Sequence, residues 1–242
     1  MKNVVLGCIA ALLCAASADA GMSVQVFEID FTGNSDIDVR ATFDIDTDAN
    51  TVKVTLENLI ANPTSVLDVI SGFFFESSGA NSGAVLTSSM GDEISVDKNG
   101  VWTNGTAGVD TAWLFDSAST NPLTSNPAFE LQMLGAPDPA GPAYGIIGPP
   151  DGSSVYSNAN GSIAGNKPHN PFLKSGAMFF LTFDSLADDF AVTDVTFQFN
   201  TVAGTYVGPP PNVTVPEPSS LFLLGMGACG LAGAARRRRT AA

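Results

Sequence analysis

Asp44, Asp46, Asp48 and Asn50 place oxygen donors at alternate positions, the first spot in this sequence where side-chain types suggest chemistry. Calcium-binding loops space hard oxygen ligands in this way. An EF-hand loop also needs a glycine at its sixth position for the sharp turn and a bidentate glutamate at its twelfth. Here those places hold Ala49 and Thr55. The pattern therefore supports weak calcium binding at most, and no tightly held cofactor is expected. The same residues also read as a strand with wet aspartates running into a turn, for which Asp48 and Asn50 are ordinary formers.

A second group is aromatic. Trp102, Trp113, Tyr144 and Tyr156 lie in polar, glycine-rich surroundings. Such residues could form an apolar platform flanked by polar groups, as a sugar-binding site requires, or they could plug a core. His169 stands alone without cysteine neighbours, so a zinc site would need carboxylates converging from elsewhere; a hydrogen bond that steadies its loop is expected instead. There is no Gly-x-Ser-x-Gly elbow, no His-Glu-x-x-His pair and no phosphate-binding glycine loop. The many acids could be paired as a glycosidase dyad, but nothing selects two of them. No catalytic residue is assigned.

The elements that would position these groups are strands. Ile37, Val39, Ala41, Phe43 and Ile45 alternate with polar residues, and after a turn Val52, Val54 and Leu56 do the same. Period-two alternation on both sides of a turn predicts a hairpin with one buried face. Phe179, Leu181 and Phe183, with Val195, Phe197 and Phe199, predict a second pair of strands. Ser23 to Phe31 shifts its apolar phase midway, which suggests a bulge. Phe73-Phe74-Phe75 is apolar on both faces and predicts a central strand within Val66 to Glu76, and Phe129 to Leu134 is a further candidate. No sustained helical period occurs between residues 21 and 210. The expected fold is all-β, a single β-sandwich or jelly roll over residues 21–207. The Gly/Pro-rich stretch from Gly135 to Gly176 predicts a long loop.

Composition narrows the function. Residues 21 to 215 hold 22 acidic and 5 basic side chains, a balance of −17. That charge excludes the basic footprint of a nucleic-acid binder. All three cysteines, Cys8, Cys14 and Cys229, lie outside this stretch, so the domain must be held by burial without disulfides.

Each end has its own pattern. Lys2 precedes an apolar run from Val4 to Ala16 that leads to Ala18-Asp19-Ala20. This is a secretory signal (residues 1–20), cut by signal peptidase after Ala20, with Ala18 as second choice. At the other end, Gly208 to Pro218 is a proline-rich linker. Val215-Pro216-Glu217-Pro218 then leads into an apolar stretch from Leu221 to Ala235 and on to Arg236, Arg237, Arg238 and Arg239. Residues 219–242 therefore read as a short transmembrane helix with a basic end. As a helix the apolar stretch would cover about 22 Å, a marginal span that snorkelling arginines help to close. The arginines would hold that end in the cytoplasm.

This layout of short motif, marginal span and basic stop resembles the PEP-CTERM sorting signal, a tail also described as an ice-binding protein C-terminal domain. The resemblance implies export in a Gram-negative bacterium, a transient inner-membrane anchor and processing by an exosortase that reads Pro216, Glu217 and Pro218. It further implies a cell-surface or extracellular destination in association with exopolysaccharide. The hairpin from Phe43 to Asn58, Asn170-Pro171-Phe172 and Val195 to Phe199 resemble, less specifically, a group of exosortase-dependent surface proteins of unknown activity. The expectation is thus a non-enzymatic surface or matrix protein. A carbohydrate-binding module is the alternative, and a secreted glycoside hydrolase a remote third.

Overall fold

The computed structural model describes residues 21–31, 37–134, 143–152, 154–202 and 204–208. The predicted signal peptide, sorting motif, apolar span and arginine run lie outside them. Among the described residues no α-helix occurs, and no helix is long and apolar enough to cross a membrane. The chain is all-β, as its periodicity predicts.

Among the described residues fourteen strands follow one another: β1 (Met22–Phe31), β2 (Ile37–Asp46), β3 (Thr51–Asn58), β4 (Ile70–Ser78), β5 (Asn81–Ser82), β6 (Val85–Val96), β7 (Trp102–Asn104), β8 (Leu114–Thr120), β9 (Pro127–Gln132), β10 (Ile146–Ile147), β11 (Phe172–Thr182), β12 (Ser185–Leu186), β13 (Ala191–Phe199) and β14 (Thr205–Val207). Twelve of them form one hydrogen-bonded sheet with two arms, and β5 and β12 form a separate ribbon. In the first arm the order is β1-β2-β3-β11-β6-β7; in the second it is β8-β9-β4-β13-β14. The short β10 joins the arms, running parallel to β11 and antiparallel to β4.

The arms face each other across aromatic rings. Phe43 of β2 lies 6.0 Å from Phe73 and 5.2 Å from Phe75, both on β4 of the other arm. Trp113, just before β8, meets Phe179 of β11 at 5.2 Å. The alternation in β2 and β3 explains this arrangement: Val39, Ala41, Phe43 and Ile45, with Val52, Val54 and Leu56, are all buried on the inner side. A second core gathers Val69, Ile94, Ile147, Tyr156, Ile163 and Phe172 beneath the segment that follows β10.

Several expectations need correction. β11 and β13 do not pair with each other. Both edges of β11 are occupied, by β3 and β6, and β13 pairs with β4 and β14 in the opposite arm. The bulge expected in β1 is absent, because its ten residues pair one-to-one with β2. The apolar phase shift arises because Val24 and Val26 face solvent while Gln25 points inward, where its amide bonds the backbone of Val192. Val66–Asp68 is a 3-10 turn with a Ser65–Asp68 capping box rather than the start of the central strand. Within the expected long loop, Tyr156 and Ile163 are buried, and β10 and the start of β11 also fall inside it.

Phe197 is fully buried, its ring tilted against that of Phe73 with centroids 4.9 Å apart. Phe197→Ala should therefore lower stability by roughly 3–5 kcal/mol, read from denaturant midpoints. A loss under about 1 kcal/mol would place the ring outside the core.

Candidate functional site

The hairpin β2–β3 positions the four oxygen donors at its turn, and each has a different neighbour. Asp44 pairs with Lys53, directly opposite on β3. Asp46 Oδ1 accepts the Ala49 amide at 2.8 Å, closing the turn. Asn50 adopts a left-handed φ of 54°, a conformation asparagine tolerates better than most residues. Its Oδ1 accepts the Leu186 amide at 2.6 Å and its carbonyl accepts the Phe183 amide at 2.9 Å, so the turn is buttoned to the segment after β11. Asp48 is exposed and its carboxylate lies over Gly21, where an added Cβ would collide with it. Asp44 and Asp46 share the outer face, but Asp44, Asp46 and Asn50 are tied to separate internal partners. Among the described residues no group of three or more His, Cys, Asp or Glu side chains is placed to hold a metal.

The aromatic candidates do not form a common platform. Trp113 is buried, and its Nε1 donates to the Tyr144 carbonyl at 3.0 Å. Tyr156 is buried beneath the second core, with its hydroxyl donating to Gly148 O at 2.9 Å; burial pushes the phenol pKa up. Tyr144 is half-buried at φ 63° against the main core, and burial, followed by the charge of Glu93, raises its pKa. Trp102 is half-buried on β7, with Lys174 Nζ 4.3 Å from its ring centre. His169 Nδ1 sits 2.7 Å from the Ser162 carbonyl within its own loop.

Two acidic residues not singled out by motif prove the most constrained. Glu76, at the end of the phenylalanine run, is buried on the outer side of β4. Its Oε1 accepts from Asn121 Nδ2 at 2.8 Å and from the Thr124 hydroxyl, and its Oε2 from Asn126 Nδ2 at 2.8 Å. Asn121 Oδ1 in turn accepts the Thr196 hydroxyl at 3.0 Å. This carboxylate anchors the 121–126 turn across β4 and β13. A lone acid closing a run that is apolar on both faces was the available signal. Asp38 faces Asp30 across β1–β2, and its buried Oδ1 has no hydrogen-bond partner. Burial first, then Asp30 and Glu28, push its carboxyl above the usual aspartate range, and Arg40 offsets this only in part. Arg40 itself bridges Glu28 and Glu57, each at 3.4 Å.

The comparisons with known proteins bear on the end of the chain. Residues 214–239 match the family described as the PEP-CTERM protein-sorting motif. This segment contains Pro216, Glu217, Pro218 and all four arginines. No curated protein and no solved structure matches the chain.

Chelation should leave the domain folded. EDTA is expected to shift the melting temperature by a few degrees at most, and unfolding on chelation would make calcium a structural cofactor. Asp38 binds its proton more tightly folded than unfolded, so stability falls as pH rises from the ordinary aspartate value of 3.8 through the raised one, and stays lower above it. Asp38→Asn should therefore melt above the parent protein at pH 7. The gap should close as pH falls through that window, and equal melting at pH 7 would contradict the assignment.

Proposed function

Because the chain ends in a PEP-CTERM sorting motif, which marks an exported exosortase substrate, we propose that it is a non-enzymatic cell-surface or extracellular-matrix protein of a Gram-negative bacterium. In this reading an acidic β-sandwich is carried out by its signal peptide and held briefly in the inner membrane by residues 219–242. Exosortase then releases or transfers it into an exopolysaccharide matrix. The sorting motif is the observation that carries the proposal. The way the domain uses its polar groups supports it: the most buried carboxylate, Glu76, is engaged by three hydrogen-bond donors that hold a turn in place. The high negative charge favours solubility outside the cell.

Carbohydrate binding is the second reading, and Trp102 favours it. Its ring is partly exposed, whereas Trp113 and Tyr156 are committed to the cores. A glycan array on the parent protein and on Trp102→Ala separates the readings. Binding abolished by the substitution would establish a module, and turnover of any glycan would revive the hydrolase.

The sorting reading is tested in a cell that carries an exosortase. The motif is read by a membrane enzyme, whereas the arginines act by holding the end in the cytoplasm. Pro216→Ala with Pro218→Ala should yield a full-length, membrane-retained protein. Replacing Arg236 to Arg239 with Ser should weaken retention before processing. Normal shortening and delivery of the double proline variant would sink the proposal.

A further inference from the structure

Among the described residues β1 uses only one of its edges. All ten of its residues pair with β2, and it is the terminal strand of its arm. Among the described residues no backbone group from Met22 to Phe31 bonds on the far side. An open edge is a row of unpaired donors and acceptors, and folds normally blunt it with prolines, lysines, bulges or short strands.

The other edges of this domain are blunted. β8 is broken by a register shift between Asp116 and Ser119, and β7 and β14 are three residues each. On β13, Val192 has both backbone groups engaged by the Gln25 side chain. β1 lacks these devices in its first half, and only its far half carries outward charges, Glu28 and Asp30. It contains no proline and no lysine, its register is unbroken, and it turns Met22, Val24 and Val26 outward at 61%, 55% and 47% exposure.

Two stretches outside the described residues are rich in proline, which makes them poor partners for this edge. Residues 135–142 include Pro137, Pro139 and Pro142, and residues 209–218 include five prolines, none of which can donate to a ladder. Residues 32–36 are the short connection between β1 and β2. The same strand of a second copy carries the same open edge, with the same outward Met22, Val24 and Val26.

We infer that the free edge of β1 pairs antiparallel with β1 of a second copy, forming a twofold dimer that extends the first arm across two molecules. The side chains select a register. With Val24 opposite Val24 of the second copy, Met22 faces its Val26, and one continuous apolar strip covers the outer seam. Glu28 and Asp30 then lie beyond Gly21 of the second copy, so the carboxylates do not oppose one another. A twofold contact between identical edges closes on itself, which gives a dimer rather than a fibre. Two strongly acidic domains repel, so association should strengthen with added salt. This inference is independent of the surface-protein reading, and failure of either leaves the other standing.

A cysteine scan tests the register in the full chain purified in detergent. With Cys8, Cys14 and Cys229 replaced by Ser, Val24→Cys and Glu28→Cys are each made the single cysteine. Directly opposed residues have Cβ atoms about 4.5–5.5 Å apart, near the reach of a disulfide. Under mild oxidation Val24→Cys should form covalent dimer at least tenfold faster than Glu28→Cys. Adding Val26→Lys should suppress that dimer without lowering the melting temperature, because the residue faces solvent. Equal rates for the two cysteines would mean random collision, and monomer alone would mean that the edge is bare or belongs to another partner. Either result overturns the inference.

Discussion

The contact of Phe43 with Phe73 and Phe75 is the constraint from which the rest of the domain follows. No cysteine lies between residues 21 and 208, so no disulfide holds the two arms together and their facing cores carry most of that task. Aromatic pairs add about 0.5–1.5 kcal/mol beyond the area they bury. The inner rings of β4 form a ladder, with Phe73 against Phe197 and Phe75 against Phe129, so β4 must lie between β13 and β9. The outer side of that strand is then also shut off from water. Phe74 meets Tyr206 there, and the Glu76 network satisfies the polar groups left beneath the 121–126 turn. A buried carboxylate with fewer donors would destabilise the strand it sits on.

How much of this was legible depends on whether a feature is local. The hairpin β2–β3 was readable because alternation and turn lie within 22 residues of each other, and its turn needed only Asp, Ala and Asn in sequence. Of the residues that alternation places on an inner face, Phe43, Ile45, Val54, Leu56, Phe179, Leu181, Phe183 and Phe197 are all buried. The partners of β11 and β13 were not readable. Alternation identifies a face but not a neighbour, and both strands find theirs far back in the chain. The aromatic candidates could not be sorted from sequence, since a tryptophan among Gly and Asn reads the same whether its ring is exposed or plugs a core. Trp113 is decided by the Tyr144 carbonyl, 31 residues away. The sorting signal was the most readable feature of all, because an enzyme recognises it as linear sequence.

Charge is distributed with the same economy. Of the five basic residues between 21 and 215, Arg40 and Lys53 lie on the outer face of β2 and β3, each opposite or beside a carboxylate. Exposed pairs of this kind contribute at most about 1 kcal/mol each. Their greater effect is to break up a continuous acidic face on the hairpin. At Asp38, where Arg40 offsets the effect only in part, and at Asp194, burial and neighbouring carboxylates hold the carboxyl above its ordinary range. The acid content that suits an extracellular life is thus opposed locally by the fold.

Strand order also links folding to export. β11, the strand between β3 and β6, comes from residues 172–182, and β13, which completes β4, from residues 191–199. Until these residues emerge, β3, β4 and β6 each lack a neighbour, and such unpaired edges are exposed to wrong pairing. Long-range pairing of this type is slow because loop closure must precede the contacts that reward it. The proline-rich linker and sorting motif follow β14 directly in the chain. In the proposed reading, a chain exported ahead of that tail would have the described strands of both arms on the outer side before the motif arrives at the membrane. A sorting signal placed after β14 would then let the arms close before the processing enzyme acts.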